Sequence, residues 1–407
     1  MTSEEKRIME IIDQNREKIH KIAKKIWEFK EIGWEEFQSS RLLMNALEKE
    51  GFTVQRGLTG KHPKFHQDVD MPTAFKAVFH GRTGGPVVGL LLEYDALPNG
   101  HACGHNLIAA AGFAAALGLK EAFASTGSVI VYGTPAEELE GSKHYILEGG
   151  YMDEVDLMLA NHYGRDWGSE VTGKAIVWPT HDNWLTFKGC TAHASSSPEK
   201  GRSALDAVLL TSMGLEFLRE HMVETNRIHY IISKGGTAAN SVPDLATLNL
   251  ELRTNDSAEL NALMRRVDNV IKGAALMTDT TAIYKWDAPW YCATPVPTLY
   301  HLAAQYASEL GIDSSRFTFG NQPKASSDLG CVAYKIPTVE ITFPIVKDGE
   351  PTPVGHADET AQITCREYPI DQCILAAKLM ALTGFRIGGN PQELGRIRDE
   401  FAKNYRE

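Results

Sequence analysis

Residues 93–106 read EYDALPNGHACGHN. This stretch holds a Glu, an Asp, two His and a Cys, all side chains that bind metals or move protons. Cys103 and His105 are two positions apart, a spacing that puts them on different sides of a helix. They converge on one ion only where the backbone is extended or turning, as at a helix entry. Cys, His and Glu together suit zinc-like ions. On its own, a Cys-x-His pair is ordinarily a small buried residue beside a loop histidine. Here the same loop carries Asp95 and follows the apolar run 87–92, which favours a metal site over the plainer reading.

Glu137 and Glu138 are adjacent carboxylates in GTPAEE, just past the apolar run 128–132. Two glutamates in a row are usually solvated surface, but a place behind a buried strand and a proline suits a division of labour. One carboxylate binds a metal while its neighbour serves as general base toward water. His162 follows the apolar run 157–160 and reads equally as a ligand or as a hydrogen-bonded strand-end histidine. His193, in GCTAHASSSPEKG, and His356, in PVGHADET, read on their own as loop histidines.

Periodicity indicates the elements that must hold these residues. Residues 4–27 show a helical repeat of isoleucines, and 36–51 predicts a second amphipathic helix that Gly51 ends. Segments 74–79 and 87–92 are strand-like and joined by the glycine-rich turn 81–85, with a polar loop expected at 61–70. An alanine-rich helix is expected at 107–123, and further buried strands at 128–132, 157–160 and 337–343. Apolar strands alternating with helices predict an α/β sheet covered on both faces, with functional residues past the carboxyl ends of its strands. Segments 184–188, 203–219, 227–233, 246–253, 258–275 and 281–286 follow the order β-α-β-β-α-β, a split βαβ arrangement. They predict a small domain inserted at 184–294, which leaves the first domain discontinuous over 1–183 and 295–407. The last residues, 384–407, are polar and read as a terminal helix or tail.

With 407 residues, 43% of them hydrophobic and 23% charged, the chain has the size and composition of a two-domain globular protein. A net charge of −11 argues against broad binding of nucleic acid or anionic membrane. No run approaches the ~18 apolar residues of a membrane span. The N-terminus lacks a signal-peptide pattern, and the 6 cysteines are scattered without a Cys-x-x-Cys pair, so a reducing cytoplasm is the expected location.

Taken in order, DALP…GHACGHN, GTPAEE, ANHYG, GCTAHASSSPEKGRSALDA, GGTAANSVPD, SSDLG and GHADE resemble the motifs of metallopeptidase family 20. The nearest part of that family is its amidohydrolase branch of hippurate, auxin-conjugate and aminobenzoyl-glutamate hydrolases and β-alanyl dipeptidases. The resemblance spans most of the chain. It implies an α/β, mixed-sheet, zinc-peptidase-like catalytic domain with an inserted ferredoxin-like lid that also dimerises, and two divalent ions per subunit, zinc or manganese. Carried over residue by residue, it implies metal ligation by Cys103, His105, Glu138, His162 and His356. It also implies a general base in Glu137 and an orienting role for Asp95. His193 resembles the lid histidine that reaches the substrate carbonyl, and Asn240 and Arg253 resemble lid residues near the substrate carboxylate. Glu93 stands where many relatives outside the branch place a metal-binding histidine. Asn106 replaces an aspartate common after the CGH triplet, which moves the resemblance towards the aminobenzoyl-glutamate and β-alanyl dipeptidase side.

The implied reaction is hydrolysis of the amide bond of an N-acyl or N-aroyl amino acid or a small dipeptide, in a homodimer or higher homo-oligomer. Two alternatives use the same residues. Hydrolytic deamination of an aromatic amine keeps the metal site and releases ammonia. A cysteine-nucleophile hydrolase uses Cys103 activated by His105 or His162. A non-catalytic relative is disfavoured, because every expected position is filled.

Overall fold

The computed structural model describes residues 1–180, 184–317, 319–320 and 325–405. The chain divides into two compact units: Met1–Thr172, Ala293–Asn321 and Ser327–Glu407 form one, and Gly173–Cys292 with Gln322–Ser326 the other.

The first unit opens with helices α1 (Ser3–Gln14), α2 (Arg16–Phe29) and α3 (Phe37–Lys49). The isoleucine repeat predicts one helix at 4–27, whereas the structure breaks it at Asn15, whose side-chain amide donates to Ile11 O at 2.9 Å. A side chain turned back onto the preceding turn competes with helix continuation. Strands β1 (Thr53–Lys61) and β2 (Asp68–His80) form an antiparallel hairpin that pairs Lys61 with Asp68. The polar loop expected at 61–70 therefore shrinks to a short turn. β1 lies at the sheet edge, where polar side chains face water, so its polarity does not mark a loop. β3 (Thr83–Leu92), α4 (His105–Ala122), β4 (Thr126–Gly133), α5 (Lys143–Glu148) and β5 (Leu157–Gly164) follow.

The second unit contains β6 (Ala175–Val177), β7 (Leu185–Lys188), α6 (Ala204–Arg219), β8 (Arg227–Lys234), β9 (Leu245–Thr254), α7 (Ser257–Thr278) and β10 (Thr281–Ile283). Its antiparallel sheet sets β10 beside β7, β7 beside β9 and β9 beside β8, the split βαβ order. β9 alternates along its length, and Ala246, Leu248, Leu250 and Leu252 are buried in a core shared with α6 and α7. β6 pairs with the far end of β9, so the sheet takes in a strand that precedes residue 184. Three residues are too short a run to show a period of two.

The first unit resumes with α8 (Pro297–Ser308), α9 (Leu329–Lys335), β11 (Thr338–Pro344), α10 (Asp358–Ile363), α11 (Glu367–Gly388) and α12 (Pro391–Asn404). The segment 384–407 is not a loose tail. α11 stays buried through Gly388, and Asn390 caps α12 by accepting from the amides of Gln392 and Glu393.

The sheet of this unit runs β1-β2-β4-β3-β5-β11. β1 pairs with β2 and β2 with β4 antiparallel, whereas β4, β3, β5 and β11 run parallel to one another. Residues 81–82 join β2 to β3, with Gly84 and Gly85 of the expected turn inside β3, and the two strands are not neighbours because β4 pairs between them. Leu90 and Leu92 enter the core formed with α1, α2, α4 and α11, while Leu91 enters the opposite core with Ile130 and Met158. Burial on both faces explains why β3 is apolar throughout. α4 is buried at every residue from His105 to Leu119, and a Cβ on Gly112 would lie 2.5 Å from Leu92 Cδ1. The chain leaves β3 through α4 to β4 on one side and later returns to β5 on the other, which makes the carboxyl end of β3 a switch point. Among the described residues no helix is long and apolar enough to cross a membrane.

Candidate metal centre

Gly104, at φ +70°, caps the N-terminus of α4, whose first residue is His105. This helix entry is the turn that lets Cys103 and His105 converge. A Cβ on Gly104 would lie 2.7 Å from the Tyr163 ring. Cys103, His105 and His162 each offer a ligand atom within 4.8 Å of the others. His162, at the end of β5, places Nδ1 2.8 Å from Tyr163 O and Nε2 3.5 Å from Cys103 Sγ.

Cys103, Glu138 and His356 form a second such group, with His356 Nε2 3.5 Å from Glu138 Oε1. His356 is left-handed at φ +66°. Its amide donates to Ala102 O at 3.2 Å, and its carbonyl accepts from Asn99 Nδ2 at 3.0 Å. Behind β4, Ala136 is also left-handed at φ +59°, and its amide donates to Glu36 Oε1 at 2.8 Å. The Thr73 hydroxyl donates to Glu36 Oε2 at 2.9 Å. Gly33 lies so close that a Cβ there would sit 2.9 Å from Ala136 Cα, and the Ala96 amide donates to Glu31 O at 2.8 Å. The segment between α2 and α3 thus braces the loop after β3 and the loop after β4. Burial, aided by the Asp95 charge, raises the Glu36 carboxyl to about 7.

His105, Glu137 and Glu138 make a third group. Asp95 joins it to the β3 loop: Oδ1 accepts from His105 Nδ1 at 2.9 Å, and Oδ2 accepts from the Glu138 amide at 2.9 Å. A carboxylate on Nδ1 fixes the tautomer that leaves Nε2 for an ion. His105 Nε2 and Glu138 Oε1 are buried and, among the described residues, have no hydrogen-bond partner. Leaving a buried polar atom unsatisfied costs about 1–3 kcal/mol, and a divalent cation satisfies both. A thiol, three imidazoles and a carboxylate around those atoms fit such an ion.

The electrostatics agree with a cation-binding role. Burial works to lower the pKa of His105, but the Asp95 carboxylate overrides it and holds His105 well above the usual imidazole range. Burial lowers His162 and pushes the Cys103 thiol up. Burial, with the Glu93 charge added, holds the Glu137 carboxyl well above the usual range. A thiol held protonated is a poor nucleophile, which weighs against Cys103 as the attacking group. A bound ion reverses the balance by taking the thiolate as ligand.

In the second unit His193 and Asn240 lie together, since the Ala194 amide donates to Asn240 O at 2.9 Å and His193 bridges to Ser241. His193 Nδ1 accepts from the Ser195 and Ser196 amides, each at 3.3 Å. That assigns the ring proton to Nε2. Arg253 lies near the far end of β9, roughly 27 Å from the strand's start at the usual rise per residue. Its Nε donates to Glu251 at 2.6 Å, and its Nη1 is 3.5 Å from Ser326 Oγ. Arg253 is therefore not brought to His193 and Asn240 within this unit.

Three buried charged residues at the centre, Glu36, Lys143 and Asp328, have no role in the expectations from sequence. Lys143 is fully buried, with Nζ 2.8 Å from Glu93 Oε1 and ion-paired to Asp328. Asp328, in the SSDLG motif, also accepts from the Ser142 and Lys143 amides at 2.9 and 3.0 Å. Glu93 Oε2 lies 3.4 Å from His105 Nε2. In EGSKHY a lysine after a glycine and a serine reads as a solvated turn, and no sequence signal marks it as buried.

Residues 181–278 match the peptidase dimerisation domain. The chain is 36% identical to a subunit of the p-aminobenzoyl-glutamate hydrolase of Escherichia coli (strain K12), over 78% of this chain and 68% of that protein. It is 30% identical to Xaa-Arg dipeptidase of Homo sapiens, over 98% of this chain and 92% of that protein. A Bacillus subtilis dinuclear metal-binding peptidase of family M20 shares the fold with a TM-score of 0.63 at 18% identity, over 91% of this chain and 98% of its own. Fold and relatives define a hydrolase that carries a dimerisation domain. The chain belongs to metallopeptidase family 20.

Proposed function

We propose that this chain hydrolyses the amide bond of an N-acyl or N-aroyl amino acid or a small dipeptide at a centre of two divalent ions. The observation that carries this reading is the convergence of Cys103, His105, Glu138, His162 and His356, with His105 Nε2 and Glu138 Oε1 buried and without a hydrogen-bond partner among the described residues. These five residues hold the ions. The Cys103 thiolate favours zinc, and the nitrogen and oxygen donors also accept manganese. When bound, such ions lower the pKa of water and polarise the scissile carbonyl. Glu137 takes the proton of the attacking water and passes it to the leaving amine. Asp95 holds His105 and the Glu138 backbone in position. His193 offers its Nε2 proton to the developing oxyanion and Asn240 binds the substrate carboxylate, while Arg253, at the far end of β9, is left out of that contact within one chain.

The activities of the relatives set the test. Metal-loaded protein is offered p-aminobenzoyl-glutamate, Xaa-Arg dipeptides, other N-acyl amino acids, β-alanyl dipeptides and aromatic amines, and the products are identified. A released amino acid supports amide hydrolysis. Free ammonia without it points to deamination, and turnover that survives exhaustive chelation removes the metal centre. Cys103→Ser is expected to keep the native circular dichroism while losing most of its bound metal by elemental analysis. Full occupancy would exclude Cys103 as a ligand.

The segment 1–183 with 295–407 is the catalytic domain, and 184–294 is the dimerisation domain through which copies associate. Leu209, Met213 and Phe217 recur every fourth residue along α6 and are 47%, 53% and 67% exposed. β8, at the edge of its sheet, exposes Ile231 and Ile232. An apolar stripe beside an open sheet edge suits a second copy of the chain. Phe217→Glu is expected to lower the mass in solution to that of one chain by light scattering, and an unchanged mass places the interface elsewhere. The six cysteines are unpaired, which suits a reducing cytoplasm.

A further inference from the structure

We infer that Lys143 is a resident cation of the centre, its ammonium filling a cleft of three carboxylates that would otherwise take an additional divalent ion. The inference rests on the proposed metal centre and concerns its opposite side. Glu93, Glu137 and Asp328 each offer an oxygen within 4.8 Å of the other two. That spacing suits one ion with oxygen ligands at roughly 2.0–2.6 Å. The Lys143 side chain is 0% exposed, and its ammonium contacts two of the three carboxylates: Glu93 at 2.8 Å and Asp328 in a close ion pair. A lysine is almost never fully buried unless paired.

The pairing is built in by the backbone. Asp328 is fixed from the other side by the Ser142 and Lys143 amides. Gly141 is left-handed at φ +67°, and a Cβ there would lie 2.6 Å from Asp328 Oδ2. The lysine and the carboxylate it pairs with are therefore docked on the same turn.

Glu93 spans the border between the two sides. Its Oε1 meets the ammonium, and its Oε2 lies 3.4 Å from His105 Nε2. Lys143 is thus a positioning residue with two consequences. It ties Glu93 and Asp328 to a charge that cannot dissociate, and it reserves the soft and imidazole donors, with Glu138, for exchangeable ions. The carboxylate side has only oxygen donors, so the ion it would take is a hard one such as manganese, whereas the thiolate side prefers zinc.

This difference in donor type provides the test. Full-length wild type and Lys143→Met are loaded with zinc, dialysed and titrated with Mn²⁺ alone, with free manganese followed by electron paramagnetic resonance and total metal by elemental analysis. Met keeps the length and approximate volume of the side chain while removing its charge. The expected result is that wild type and Lys143→Arg take no manganese beyond their zinc, while Lys143→Met takes a further equivalent. Adding Asp328→Asn to Lys143→Met should abolish that uptake. Should Lys143→Met not fold in buffer alone, recovery of its near-ultraviolet circular dichroism on adding Mn²⁺ is the expected result. The inference is overturned if Lys143→Met neither takes manganese nor folds with it, or if Lys143→Arg takes as much. Wild type that fails to retain zinc would count against the proposed metal centre instead, while the manganese uptake still decides for Lys143.

Discussion

Glu137→Gln is expected to fold and to keep its metal ions while kcat falls by about 10²–10⁴-fold, the usual range for loss of general acid–base catalysis. The substitution changes little but the ability to accept a proton. Glu137 sits against Glu93 and within 4.8 Å of His105 and Glu138, and burial holds its carboxyl above the usual range. Divalent ions held by Glu138 and His105 would bring positive charge beside this carboxyl and favour the form that accepts a proton. Because proton transfer occurs in the transition state, KM should change much less than kcat. A kcat within tenfold of wild type, with metal content unchanged, would falsify the assignment of Glu137.

His193→Ala is expected to lower kcat by about 10²–10³-fold, the usual effect of deleting one oxyanion donor. Two backbone amides occupy Nδ1, so the proton on Nε2 is available as a donor. The contact is made to charge that develops only during the reaction, so the loss belongs in kcat and not in KM. His193→Gln, which retains an N–H donor, should recover part of the rate, whereas a residue needed only for folding gains nothing from a donor. Metal content must stay at the wild-type level in both variants. Near-normal turnover in His193→Ala would remove the residue from the mechanism.

Much of the site was legible in the sequence because its residues follow strands. Apolar runs at 87–92, 128–132 and 157–160 announce buried parallel strands, and the polar residues behind them had to be at the carboxyl ends. The alternation in β9 and the helical repeats of α6 and α7 likewise carried the second unit. What stayed hidden was set by pairings distant in sequence. Nothing local shows that β4 comes between β2 and β3, or that Lys61 and Asp68 pair in a hairpin. Glu36 sits at the start of an amphipathic helix and reads as surface, yet it is wholly buried against Thr73 and Ala136. Lys143 and Asp328 are far apart in the chain, and neither is unusual until the fold joins them. Charged residues that satisfy each other inside a protein leave no apolar periodicity, so composition and spacing are blind to them.

The candidate ligands hang from separate strand ends: the turn after β3, the loop after β4, the end of β5 and the loop after β11. Whatever binds all of them binds only the folded chain, so divalent ions held by these proposed ligands would act as a clasp across the carboxyl edge of the sheet. A ligand of that kind adds about 2.7 kcal/mol to stability when its free concentration is a hundred times its dissociation constant. The melting temperature then becomes a gauge of metal supply. With the proposed ions removed, a lower melting temperature is expected together with the loss of turnover.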